Sequence, residues 1–257
     1  MKNERLREEN YNNFGTLMKI IEYKNCDNII IEFQDEYKAK VHTKYFNFKK
    51  GKVKNPYDKS VYDIGYIGEG VYKVSTNGKS TKAYEVWKKM LQRCYDPYEL
   101  NKHQTYIDCY VCDEWHNFQN FCKWFEENYY EIPNKIMCLD KDILVKGNKI
   151  YSPETCIFVT NRINILFIKR DVDRGKYPIG VCWDKERNKF IAYCRILDKN
   201  NNRKKIYLGR YNTIEEAFLE YKHFKENYIK EVADEYKDLI PIKLYNAMYE
   251  WKIEIND

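Results

Sequence analysis

No apolar run in this chain approaches the ~20 residues needed to cross a bilayer, which excludes a membrane-spanning helix from the reading. The opening stretch, Met1 to Asn12, is charged and polar and lacks the apolar core of a signal peptide. A cytoplasmic location is therefore expected. Internal repeats and low-complexity tracts are also missing. Histidine is scarce, with only His42, His103, His116 and His223 among 257 residues. Cysteine is not scarce, but in a reducing compartment the nine thiols are expected to stay free rather than form a disulfide framework.

What is present is charge and aromatic surface. Charged residues make up 33% and aromatics 16%, with 25 tyrosines, which is too aromatic for a disordered chain. The length suits two or three small domains. A formal charge of +6 is only moderately basic, so its distribution says more than its sum. Residues 168–210 hold 13 Lys and Arg against 5 Asp and Glu, a net of +8; residues 211–257 hold 6 against 11, a net of −5. The basic part reads as three short strands: Ile179-Gly180-Val181-Cys182-Trp183, then Lys189 to Ile196, then Lys204 to Tyr211. The acidic part opens on Thr213-x-x-Glu216, a capping box, and continues with Ala217, Tyr221, Phe224 and Tyr228 on one helical face. A basic sheet backed by an acidic helix exposes one positive face, an electrostatic footprint for nucleic acid.

Upstream, the expected class is α+β. Residues 1–75 form a small β module with strands at Leu17–Tyr23, Asn28–Phe33 and Lys38–His42. Residues 76–82 read as a polar linker. Helical spacing follows in Tyr84, Trp87, Leu91 and Cys94, and again in Phe118, Phe121, Cys122 and Phe125. A strand–turn–strand is expected from Ile136 through Lys146-Gly147-Asn148 to Tyr151, and Ser152-Pro153-Glu154 reads as a helix start. Residues 161–174 bridge to the basic sheet. The expected modules are thus 1–75, 76–167 and 168–240, with 241–257 as a C-terminal tail.

The basic stretch resembles the AP2 DNA-binding domain of plant transcription factors and phage homing endonucleases. The resemblance rests on Gly180-Val181, Phe190-x-Ala192-x-x-Arg195, Tyr207-Leu208-Gly209-x-Tyr211, Thr213-x-Glu215-Glu216-Ala217 and Tyr221. It implies a three-stranded sheet laid in the major groove of double-stranded DNA. Strand alternation sends Phe190, Ala192, Cys194 and Ile196 towards the helix. The implied DNA-binding set is Lys189, Tyr193, Arg195, Arg203, Lys205, Tyr207 and Arg210. Cys182 and Asp184 stand where the plant proteins carry arginines, so their target sequence does not carry over. The other reading of this face is a solvated basic surface.

Residues 83–166 resemble a divergent HNH-type module of phage endonucleases, through Trp87-x-x-Met90-Leu91, Cys112-x-Glu114-Trp115, Leu139-Asp140-Lys141-Asp142, Gly147-Asn148, Tyr151-Ser152-Pro153-Glu154-Thr155 and Asn161-x-x-Asn164. The family's site is a two-strand hairpin and a helix around one divalent metal, Mg²⁺ or Mn²⁺. The resemblance implies a metal-dependent DNA endonuclease, acting in the host cytoplasm if phage-encoded. Asp140, Asp142 and Asn148 fall on the catalytic positions, and Asp140, Asp142 and Thr155 on the metal positions. The family's histidine is absent, for Asp140 stands in its place. An Asp suits a hard cation but is a poor general base with a pKa near 4. A non-catalytic DNA-binding protein, either a transcriptional regulator or a phage anti-defence factor, is the alternative. Asp140 and Asp142 also read as a solvated strand end, and Asn148 as a turn residue. Cys109-x-x-Cys112 allows a structural Zn²⁺ site but lacks a second pair, so buried thiols are the plainer reading. Trp87, Trp115, Phe118 and Phe121 read as core. The oligomeric state is not legible.

Overall fold

The computed structural model describes residues 5–168, 176–198 and 202–257. The chain is α+β and folds as two compact units, Met1–Glu127 with Lys149–Pro153, and Asn128–Asn148 with Glu154–Asp257. The main division falls after Glu127, with Lys149–Pro153 returning to the first unit.

The first unit opens with an antiparallel sheet of β1 (Glu9–Tyr11), β2 (Leu17–Asn25), β3 (Asn28–Phe33) and β4 (Lys40–Thr43), in that spatial order. Burial alternates along it. Met18, Ile20, Ile29, Ile31 and Phe33 point to one face and pack with Ala39, Phe48 and Val53, with Phe48 supplied by α1 (Tyr45–Lys49). The supposed linker is a hairpin. β5 (Ser75–Thr76) and β6 (Lys79–Ser80) flank Asn77-Gly78, both at positive φ, the residue pair that a tight two-residue turn favours. Thr81 then caps α2 (Lys82–Tyr95) by accepting from the Tyr84 N–H. Asp96 caps α3 (Pro97–Lys102), whose Pro97 costs no helical hydrogen bond at that position. β7 (Tyr110–Val111) and α4 (Phe118–Asn128) follow. Trp87, Leu91, Trp115, Phe118 and Phe121 are fully buried, as the helical spacing requires, and Trp87 Nε1 donates to the Trp115 carbonyl at 2.7 Å.

The chain then forms β8 (Met137–Asp140) in the second unit and returns briefly to the first as β9 (Ile150–Tyr151), which pairs in parallel with β7. The expected hairpin between these two strands is therefore not formed. β8 pairs with β10 (Ile157–Thr160), Asp140 lying opposite Ile157 and Met137 opposite Thr160. Residues 153–155 are a turn, and no helix starts there. The β-branched Ile157, Val159 and Thr160 carry the chain into a strand buried on every residue. The helix comes later, as α5 (Asn161–Phe167), where Thr160 accepts from the Ile163 N–H. The first part of the expected bridge is thus helical, and residues 169–174 of it lie outside the described residues.

The rest of the second unit is the sheet β11 (Val181–Asp184), β12 (Lys189–Leu197) and β13 (Arg203–Tyr211), followed by α6 (Ile214–Tyr236) and α7 (Ile242–Glu250). α6 opens on the full capping box of Thr213 and Glu216. Its 23 residues serve two cores. Ala217, Phe218 and Tyr221 pack beneath the sheet with Val181, Ala192 and Cys194. Tyr228, Ile229, Val232, Ala233 and Tyr236 pack with Ile157, Val159 and Ile163 of β10 and α5. The segment read as a tail is built in, with Leu244 and Met248 buried in the second core and Ile253 in the first.

Candidate nucleic-acid interface

The sheet presents the predicted cations by a mechanism that simple alternation misses. Ala192 and Cys194 are buried against α6, so Ile191, Tyr193 and Arg195 take the opposite face. On β13, Lys205 and Tyr207 oppose Arg195 and Tyr193. Strict alternation would then turn Arg210 inward with Leu208. The register instead shifts between Ala192 and Tyr193, so that Gly209 opposes Ala192, Arg210 opposes Ile191 and Tyr211 opposes Phe190. This β-bulge sends Arg210 outward and Tyr211 into the core. Gly209 permits it at φ +146, where an added Cβ would sit 2.7 Å from the Tyr211 hydroxyl.

The outward side chains brace one another. Arg210 donates from Nε to Asp184 Oδ2 at 3.0 Å and from an Nη to the Tyr207 hydroxyl at 3.0 Å. That ion pair, first through its hydrogen bond, holds the Asp184 carboxyl below its ordinary range. Asp184 is thus the positioning partner of Arg210. Lys205 Nζ lies 4.1 Å from the Tyr193 ring centroid, and the Arg195 guanidinium lies 5.9 Å from the same ring. Tyr207 is 54% exposed, too open to be a core residue. Arg203 is exposed at the start of β13, and Lys189 is bonded to Asn212. All seven residues of the predicted DNA-binding set lie on this one sheet.

Rigidity comes from the packing behind. Gly180, at φ +79, brings the backbone against the Tyr221 ring, where a Cβ would fall 2.1 Å from a ring carbon. The Gly180 and Tyr221 of the resemblance are therefore one contact.

The acidic cluster in the 140s is assembled differently. Asp140 Oδ1 accepts the N–H groups of Asp142 and Ile143, at 2.9 and 2.8 Å, which closes the turn after β8. Lys141 Nζ donates to Asp142 at 2.8 Å and to the Asn148 carbonyl at 2.9 Å, while the Asn148 amide donates back to the Lys141 carbonyl at 2.6 Å. Asp140, Asp142 and Asn148 are thus brought together, with the Lys141 ammonium among them. Burial first, and Asp142 second, push the Asp140 carboxyl up to about 6. Thr155 sits in the turn before β10 and not at a helix start. The observed helix begins beside Ile136, whose carbonyl accepts from Asn161 N–H at 2.9 Å. It therefore starts at the far end of β8 from Asp140, roughly 10 Å along the strand. The oxygen donors suit Mg²⁺ or Mn²⁺ in chemical type. However, among the described residues no three His, Cys, Asp or Glu side chains are gathered to hold a metal ion.

His103 faces Glu99 at 3.9 Å, and His116 bonds to the Val111 carbonyl at 3.1 Å, with burial pushing it below its ordinary range. Cys109 and Cys112 are free thiols, the first of them buried. One residue the sequence reading passed over is Lys225. It follows Tyr221 by four on the apolar stripe of α6, and it is buried. That spacing was the available signal. Among the described residues, no helix is long and apolar enough to cross a membrane. No family model matches the chain, and no curated protein or solved structure shows significant similarity to it.

Proposed function

We propose that the protein binds double-stranded DNA through the outward face of β11–β13, in the cytoplasm. The observation that carries this reading is the braced strip of Arg195, Arg203, Lys205 and Arg210 interleaved with Tyr193 and Tyr207. Arginine and lysine in such a strip read guanine edges or neutralise phosphates, and tyrosine stacks or bonds to the backbone. The resemblance of the same residues to the AP2 domain supports it. Without cleavage, such a protein acts as a transcriptional regulator or anti-defence factor. The test is fluorescence anisotropy on duplexes enriched from a random pool. Arg195→Ala should cost ~1–3 kcal/mol of binding and relax preference at one or two base pairs, with the melting temperature kept. Unchanged affinity and preference in an Arg195→Ala, Tyr207→Ala double variant would sink the reading.

Metal-dependent cleavage of DNA phosphodiesters, the chemistry of a phage-type homing endonuclease, is the second reading. Asp140, held beside Asp142 and Asn148 and raised to about 6, towards the working range of a general base, favours it. Incubation with plasmid and genomic DNA, with and without Mg²⁺ or Mn²⁺, separates the two. Cleavage that disappears in Asp140→Ala supports the nuclease. Intact DNA across metals and substrates leaves the binding-only protein.

A further inference from the structure

Within the second unit, a cleft of about 850 Å³ is lined by the end of α5, by residues from both faces of the sheet and by the C-terminal segment. That volume is in the range of small-molecule sites. Phe167, Tyr177, Ile179, Ile196, Trp251 and Ile253 give it apolar walls. Lys225 enters this lining from α6 and is only 7% exposed. Among the described residues its ammonium has no carboxylate and no hydrogen-bond partner, and the Tyr228 ring centroid lies 5.9 Å from Nζ. The carboxylate on the described lining, Asp257, is held by Lys146 at 2.6 Å.

A buried ammonium without a counter-charge is costly, and a methionine or leucine at this point of the stripe would serve the core better. Burial accordingly pushes Lys225 below the ordinary lysine range. Arg195 and Lys205 also line the cleft and add positive potential to it. The cleft therefore has a body suited to an apolar group and one interior charge suited to a single anion. A doubly charged phosphate would need more buried donors than one ammonium provides. We infer that this cleft binds a small apolar molecule carrying one carboxylate, with its hydrocarbon or aromatic body against Phe167 and Trp251 and its carboxylate on Lys225 Nζ. The inference does not depend on DNA binding.

The probes are 2-naphthoate and its neutral analogue 2-naphthamide, titrated by calorimetry into the full chain and into Lys225→Met. The wild type should prefer the carboxylate by about tenfold or more, as a charge-assisted contact in an apolar site requires. Lys225→Met should bind both probes alike. Equal affinities in the wild type, no naphthoate binding, or a preference that survives in Lys225→Met would each overturn the proposal. A second measurement needs no variant. A photoreactive naphthoate on the wild-type protein should label the peptides that carry Ile196 or Trp251, and labelling confined to other peptides would overturn the assignment.

Discussion

Gly180 shows how much of the sheet's geometry rests on one missing side chain. Its backbone is left-handed, and the space a Cβ would need is filled by Tyr221. Gly180→Ala should therefore lose ~2–4 kcal/mol, from backbone strain together with overpacking. A chemical melt followed by tryptophan fluorescence checks this, and a variant as stable as the wild type would mean that strand and helix are not in contact there. Asp140 makes a prediction of the opposite sign. Its carboxyl, raised to about 6, holds its proton more tightly in the folded chain than in the unfolded one. Its favourable contribution is complete below the ordinary carboxylate pKa of ~4 and is lost as pH rises through about 6. Asn cannot ionise, and its side-chain oxygen can still accept from the Asp142 and Ile143 N–H groups. Asp140→Asn should thus stabilise the protein at pH 8 by on the order of 1–3 kcal/mol, with the gain shrinking towards pH 4. Thermal melts at both pH values decide it, and an equal offset at the two would show that ionisation of Asp140 is not what burial opposes.

At the scale of elements, α6 is the part that couples the rest of its unit. Ile229 lies in its second half, buried against the β8, β10 and α5 core and away from the sheet. Ile229→Ala should cost ~2–5 kcal/mol. Because one helix closes both cores, hydrogen exchange should show protection falling in β12 and β13 as well as in β8 and β10. Loss of protection confined to β8 and β10 would make the two cores independent. Periodicity reads such elements well where one face is buried, as in β2, β3, α2, α4 and the capped start of α6. It misreads β10, because a strand buried on every residue shows no alternation, and because Ser152-Pro153-Glu154 carries helix-start chemistry in what is a turn. The strand-like run nearest to β8, ending in Ile150 and Tyr151, pairs with β7, and no local signal announces that pairing. Among the interface residues, Tyr193, Arg195, Lys205 and Tyr207 follow from alternation alone. The outward turn of Arg210 depends on a bulge, and its bond to Asp184 spans the sheet, so neither is written in any short window of sequence.

For the whole molecule, the sorting of charge matters more than its total. The formal charge is only +6, yet the outward face of one sheet carries Lys189, Arg195, Arg203, Lys205 and Arg210. If about five phosphates are neutralised there, the logarithm of the DNA association constant should fall against the logarithm of salt concentration with a slope of roughly −4 to −5. The position of α6 rules out the simplest control. Removing residues 175–240 would take away the helix that completes the β8, β10 and α5 core, so lost binding could reflect unfolding. Single substitutions on the exposed face avoid this. Lys205 is exposed, contacts the Tyr193 ring and takes no part in the core, so Lys205→Ala should leave the melting temperature in place. If it meets a phosphate, its loss should weaken all duplex sequences about equally and reduce the salt slope by about one. Arg195→Ala, through a base edge, should instead change which sequences are preferred. A flat salt response in the wild type, or the same sequence-selective loss in both variants, would remove the distinction between phosphate and base contacts on which this interface rests.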